Sequence, residues 1–377
     1  MIYLDNSATT AVDRRVLEAM SSAFDGQAFG NPASTHSVGV EARRALESAR
    51  ARVVASIPGR RRRVVFTSGA TEANALALLG RAPKGRRKHV VISAIEHPSV
   101  LNCARELERS GCRLTIVPPS ADGLIDAEAA CAAVDGDTAL LSVMLVNNEV
   151  GTVQPVGTIA RRVRAAWPSC HVHVDAVQAI GLVDLTCLAE ASSISVSGHK
   201  IHGPKGVGAL FFDEASAPRP LWFGGGQEGG VRSGTQNVPG AVGLAAAMEL
   251  ALTDWDVTAR RLTTLRDQLV EGITGAVEGT SLVGHAALRS PAIAMVAVKG
   301  LRGDAIVGAL DERGVIASTG SACRSGDPRP SEVLRAMGHA LDAGTVRFGL
   351  SRETSAEEIE RSVAVFADAV ETLRKGT

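Results

Sequence analysis

The segment Ser195-Val-Ser-Gly-His-Lys-Ile-His-Gly-Pro-Lys-Gly206 sets a lysine among small residues and histidines, between a strand-like run and a Gly-Pro turn. Partial loss of solvent at such a place lowers a lysine pKa, the condition for an amine to form a Schiff base. Lys200 is thus a candidate covalent anchor, with Ser197 and His199 able to donate to a phosphate from the same loop; a solvated surface lysine would read the same way. In Val172-His-Val-Asp-Ala-Val-Gln178, Asp175 closes an apolar strand, and a buried carboxylate needs a partner. A cationic ring nitrogen would serve, and Gln178 would share its side if a helical turn starts there. The alternative is an Asp that caps the next helix.

Further chemistry-bearing residues recur at strand ends. Thr67-Ser-Gly-Ala-Thr-Glu-Ala-Asn74 leads from a strand into a helix start, where backbone N–H groups and Thr71 suit an anion, or only a cap. His97 in Ile95-Glu-His-Pro-Ser99 could stack on a flat ring and move protons, or be structural. Asn148 in Val146-Asn-Asn-Glu-Val-Gly151 could bind a ring hydroxyl, or close an Asx turn. The glycine-rich run Gly224 to Thr235 could wrap an anion or move freely, and it has no P-loop pattern. Cys323 lies beside Arg324 among small and polar residues, where a thiol tends to be the reactive thiolate; a free structural cysteine is the other reading. Arg347, in Val346-Arg-Phe-Gly-Leu350, could grip a carboxylate bidentately from a strand.

The elements that position these residues follow from periodicity. Short β-branched or apolar runs at 63–67, 89–93, 114–117, 139–144 and 171–175 alternate with helix candidates such as 38–56 and 71–79. That alternation predicts an α/β fold with a mostly parallel sheet, whose ligands bind beyond the carboxyl ends of the strands. From Asp254 the pattern becomes a long charged helix to Glu278, strands near 292–298 and 315–318, and a terminal helix from Ser355 to Lys375. We therefore expect a large domain at 13–253 and a smaller α+β domain formed by 1–12 and 254–377.

Composition narrows the function classes. In 377 residues, 40 basic and 40 acidic side chains cancel, which argues against a nucleic-acid stripe or an electrostatic membrane surface. No apolar stretch approaches the ~20 residues of a membrane span, and no signal peptide is visible at the N-terminus. The six cysteines show no CxxC pairing, so a reducing cytoplasm and no metal site are expected, with the five cysteines other than Cys323 read as buried filler.

Taken in order, the motifs resemble the cysteine desulfurases, in the NifS/IscS-like branch of the class V aminotransferase family of fold-type I pyridoxal-phosphate enzymes. The matching residues run nearly end to end: Tyr3-Leu-Asp-Asn-Ser-Ala-Thr-Thr10, Gly30-Asn-Pro-Ala-Ser34, Thr67 to Glu72, Glu96-His97, Asn147-Asn-Glu149, His173 to Ala176, Gly198-His-Lys200, Arg232-Ser-Gly-Thr235, Gly320-Ser-Ala-Cys323 and Val346-Arg347. The resemblance implies a mixed, mostly parallel seven-stranded sheet and pyridoxal 5'-phosphate as cofactor. It implies that Lys200 carries the cofactor, His97 stacks on its ring as acid or base, and Asp175 pairs with the ring nitrogen. Gln178 and Asn148 would meet the ring hydroxyl, and Thr71, Ser197 and His199 the phosphate. Thr235 would reach the partner's phosphate site in a homodimer, while Asn31 and Arg347 would hold the substrate carboxylate. Cys323 would take sulfur from L-cysteine, leaving L-alanine and a persulfide for an acceptor protein. A selenocysteine lyase and a non-catalytic scaffold of the same fold are the alternatives. The chain departs from the family at Gly229, where a larger, often basic residue is common.

Overall fold

The structure, a computed structural model, describes residues 1–59, 62–81, 88–320, 331–339 and 343–376. Cys323 and its neighbours lie outside the described residues. The strands are β1 (Ile2–Tyr3), β2 (Arg62–Thr67), β3 (His89–Ser93), β4 (Arg113–Val117), β5 (Thr138–Ser142), β6 (His171–Asp175), β7 (Ser193–Ser197), β8 (Gly208–Asp213), β9 (Thr280–Val283), β10 (Ile293–Lys299), β11 (Val315–Ile316) and β12 (Ala343–Gly349).

Seven strands form one sheet in the order β2-β8-β7-β6-β5-β3-β4. Only β8 runs against its neighbours, pairing antiparallel with both β2 and β7. Strands β3, β6 and β7 are buried along their whole length, so neither face is turned to solvent. From β3 the chain steps outward to β4, then returns to lay β5 on the other side of β3 and proceeds to β6 and β7. The crevice between the carboxyl ends of β3 and β5 is therefore the switch point where such sheets bind ligands.

A second unit lies C-terminal to this sheet. Strands β9, β10 and β12 pair antiparallel, and the helices Trp255–Ala276 and Ala356–Lys375 pack together beside them. Its own apolar cluster includes Phe348 and Phe366, whose rings meet edge to face at 6.0 Å. The last helix starts where its cap dictates: Ser355 accepts from the Glu358 N–H while the Glu358 carboxylate accepts from the Ser355 N–H. The N-terminus joins this unit, β1 running parallel to β11 and Asp5 bridging Gly349.

Several elements differ from the expectation. The strand placed at 139–144 ends at Ser142, because the Met144 N–H turns out of the ladder to the Glu96 carboxyl at 2.7 Å. The helix Val238–Leu252 was not foreseen: it is apolar on nearly all sides, and a helix buried all round carries no amphipathic period. Of the five cysteines expected in the core, only Cys170 is buried; Cys103, Cys112, Cys131 and Cys187 are half-buried. Burial still pushes the thiols of Cys103 and Cys187 up to about 11, which keeps them protonated and inert.

Candidate active site

A cavity of about 560 Å³ opens at the switch point and is lined by residues from the strand ends, from the N-terminal segment and from β12. Thr71, His97, Asn148, Asp175, Gln178, Ser197, His199, Lys200 and Arg347 all reach it. Nine residues from six separate stretches thus converge, although the strand ends that carry them are tens of residues apart in sequence.

At one end stands the helix Ala70–Leu78. Its N-cap is Gly69, which offers no side-chain acceptor, so first-turn N–H groups remain for a ligand. Gly69 adopts φ 155° and ψ −178°, and a Cβ there would face Ser197 Oγ at 3.8 Å across the cradle. Behind it β8 approaches so closely that a Cβ on Gly208 would stand 2.8 Å from the Gly69 backbone, so this crossing requires glycine. Glu72 closes the turn by accepting from the Ser68 N–H at 2.7 Å and from Arg232 Nε at 2.9 Å. His199 lies beside this end, its imidazole pushed down to about 4 by burial and by Lys200 and Lys205; its Nδ1 meets Thr9 Oγ1 at 3.2 Å.

Lys200 forms the floor. Its Nζ donates to the Ser7 and Ala8 carbonyls, each at 2.6 Å, so the N-terminal segment holds the amine. Gln178 Nε2 donates to the same Ser7 carbonyl at 2.9 Å. Asp175 is buried at the end of β6, where Oδ1 accepts from the Val177 N–H at 3.0 Å and Oδ2 from Asn74 Nδ2 at 2.8 Å. His97 is the N-cap of the helix Pro98–Arg109, its Nδ1 accepting from the Ser99 N–H at 3.1 Å. An imidazole in the place of the usual Asp or Ser cap has a fixed ring orientation. Burial, with Lys200 nearby and against the pull of Asp175, holds its pKa below the ordinary histidine value.

The other end belongs to Arg347, almost wholly buried. Nη1 donates to the Asn148 and Gly320 carbonyls at 2.9 and 2.8 Å, and Nη2 to Asp5 Oδ1 at 2.8 Å. Its Nε has no partner among the described residues. The Asp5 carboxylate was not singled out from sequence, and the one available signal was its place in the Tyr3–Thr10 motif.

Two predicted residues are not brought to this chain's own cavity. Asn31 is exposed and its Oδ1 accepts from the Ala33 N–H at 2.9 Å, an Asx turn that holds the amide away from the cavity lining. Thr235 is exposed and absent from the cavity lining, three residues beyond Arg232, which Glu72 holds. In the same glycine-rich run, Gly229 has φ 65°, and Arg63 Nη2 stands 2.5 Å from where its Cβ would be. A guanidinium from β2 therefore fills the space that a larger residue would need.

The class-V aminotransferase family model matches residues 2–361. A cysteine desulfurase IscS 1 of Archaeoglobus fulgidus is 40% identical over 381 residues, 99% of this chain and 98% of that protein. Among solved structures, a NifS-like protein superposes with a TM-score of 0.90 at 35% identity, covering 98% of this chain and 99% of the other. A structure described as SspA in complex with cysteine superposes with a TM-score of 0.80 at 32% identity, covering 93% and 99%.

Proposed function

We propose how a chain that belongs to the class-V aminotransferase family, and that acts as a pyridoxal-phosphate-dependent cysteine desulfurase, divides its chemistry among its own residues. The residues present fit the cofactor. The uncapped helix N-terminus with the bare Gly69 cradle suits its phosphate, and the buried Asp175 carboxylate suits its ring nitrogen. When bound, the cofactor supplies an electron sink for bonds broken at the substrate carbons.

Thr71, Ser197 and His199 hold the phosphate, and Gln178 with Asn148 hold the ring hydroxyl side. Lys200 would anchor the cofactor, and its amine, held by two carbonyls, is placed to carry protons. His97 would stack on the ring and exchange protons with the substrate. Arg347 takes the substrate carboxylate, Nε being the donor left without a partner. Cys323 then attacks the sulfur of L-cysteine: an S–S bond forms as the C–S bond breaks. The bonding pair stays with the carbon skeleton, which gains a proton and leaves as L-alanine.

The chain works in the cytoplasm as a homodimer, Thr235 entering the partner's phosphate site, and the persulfide passes to an acceptor protein. Phe29 and Phe223, large apolar side chains exposed beside Asn31 and the glycine-rich run, support burial by a second copy. No helix among the described residues is long and apolar enough to cross a membrane.

The observation that carries this reading is the convergence of Lys200, Asp175 and His97 on one cavity. After incubation with L-cysteine, mass spectrometry should find one extra sulfur atom on the Cys323 peptide and one alanine released per sulfur. Cys323→Ser should keep the yellow colour of the bound cofactor and lose sulfur transfer; persulfide delivery by that variant would overturn the assignment.

A further inference from the structure

We infer that Asn74 is a positioning residue of this reaction: its single amide orients the Asp175 carboxylate and, through the Ser99 hydroxyl, fixes the ring proton of His97 on Nε2. The inference rests on the roles proposed above for Asp175 and His97.

Asn74 is fully buried on the helix Ala70–Leu78, one turn beyond the phosphate cradle. Its Nδ2 lies 2.8 Å from Asp175 Oδ2 and 2.9 Å from Ser99 Oγ. A carboxylate only accepts, so the amide nitrogen must face Asp175, and the orientation of the whole group follows. One amide hydrogen goes to Asp175 and the other to the Ser99 oxygen. The Ser99 hydroxyl, already accepting, directs its own hydrogen to His97 Nδ1 at 2.8 Å. His97 Nδ1 also accepts from the Ser99 backbone N–H, so two donors meet this one nitrogen. Burial keeps the ring neutral near pH 7, and its one proton therefore sits on Nε2, the nitrogen left for groups in the cavity.

The far side of the amide fixes its direction independently. Asn74 Oδ1 meets His173 Nε2 at 3.0 Å, and this histidine is held down to about 3 by burial, hence neutral. It must donate from Nε2, leaving Nδ1 to accept from the Ser193 hydroxyl at 2.8 Å. The Ser193 oxygen in turn accepts from His171 Nε2 at 2.8 Å, which leaves His171 Nδ1 as a bare acceptor, without a hydrogen-bond partner among the described residues. Every proton in the chain points the same way, from His171 to the Asp175 and His97 ends. His97 thus enters the reaction as an Nε2–H donor, and for it to accept a proton first would require both Ser99 bonds to break.

The test uses the holoenzyme labelled with ¹⁵N-histidine, where long-range ¹H–¹⁵N correlations separate protonated from bare ring nitrogens. The wild type should show His97 with a bare Nδ1 and a protonated Nε2. Ser99→Ala keeps Asn74 on Asp175 and the backbone N–H on His97 Nδ1 but removes the hydroxyl donor, so it should raise the share of the Nδ1–H tautomer of His97 and lower kcat by about 10-fold with KM little changed. Asn74→Leu, of similar shape but without donors, should lower kcat by about 10- to 100-fold, the usual effect of removing a group that orients a site residue. A wild-type His97 protonated on Nδ1, or unchanged kcat in both variants while Asp175→Asn and His97→Gln lose activity, overturns the inference. Full activity in Asp175→Asn and His97→Gln overturns instead the roles on which it rests.

Discussion

The two ends of the cavity are built differently. Around Asp175 the polar groups come from neighbouring parallel strands and one helix start, are deeply buried, and hold one another in a directed chain. Around Arg347 the groups come from opposite ends of the polypeptide: Asp5 pairs with it across 342 residues, and the carbonyls it holds lie in the loop after β5 and before the undescribed segment. The first end is rigid by construction, because parallel strands fix where each terminus lies. The second depends on two packed units staying in register. On the proposed roles, binding and orienting the cofactor falls to the stiff end, and admitting the substrate to the end that rests on a seam.

The sharpest break of this contrast is Lys200→Ala, which removes the proposed covalent anchor at the stiff end. Cysteine turnover should fall on the order of 10⁴-fold or more, as losing a covalent catalyst does, with the fold unchanged by circular dichroism. Next comes Phe366→Ala: this ring packs on Phe348, the neighbour of Arg347 in β12, and its loss should destabilise by about 3–5 kcal/mol in urea unfolding. If the seam matters as argued, this variant should also raise KM for cysteine while leaving the cofactor's colour intact. Arg347→Lys loses the fork geometry and should raise KM about 10- to 100-fold, the worth of one charged hydrogen bond, with smaller change in kcat.

The smallest effect belongs to Glu96, at the stiff end. Burial, with Asp175 adding repulsion, raises its pKa to about 7 against the bonds from Ser93 and Met144 that favour the anion. Because the folded value lies above the unfolded one of ~4.3, the folded protein binds the extra proton between these limits. Stability from this group therefore falls as pH rises from ~4.3 to about 7 and stays lower above it. Glu96→Gln keeps an Oε1 acceptor for Ser93 and Met144 and should flatten that slope, gaining on the order of 1–3 kcal/mol near pH 8 and nothing near pH 4. Denaturant midpoints across this range check it; an unchanged slope would place the titration elsewhere.

Much of the stiff end was legible in the chain. Asp175, His97 and Lys200 stand at the ends of recognisable apolar runs, and a parallel sheet gathers strand ends on one edge whatever its details. The uncapped start of the helix Ala70–Leu78 was legible for a similar reason, since strand–Ser-Gly–helix reads locally. Asn74 and Ser99 were not, because an asparagine in a helix and a serine after a proline are ordinary until the fold sets them 2.9 Å apart. The helix Val238–Leu252 escaped because full burial removes its period. Asn31 was carried over by motif; it is exposed, its Oδ1 engaged in an Asx turn, and it does not line this chain's own cavity.

By itself, then, the sequence determined the alternation of strands and helices and the residue types at each strand end, together with the family these motifs mark. Such features depend on neighbours within a few positions. Tertiary structure alone decided that the Ser7 and Ala8 carbonyls hold Lys200, that Asn74 aims Asp175, and that Asp5 engages Arg347. Each of these contacts joins residues a hundred or more positions apart, and no local propensity records which distant groups a closing sheet will bring within hydrogen-bond reach.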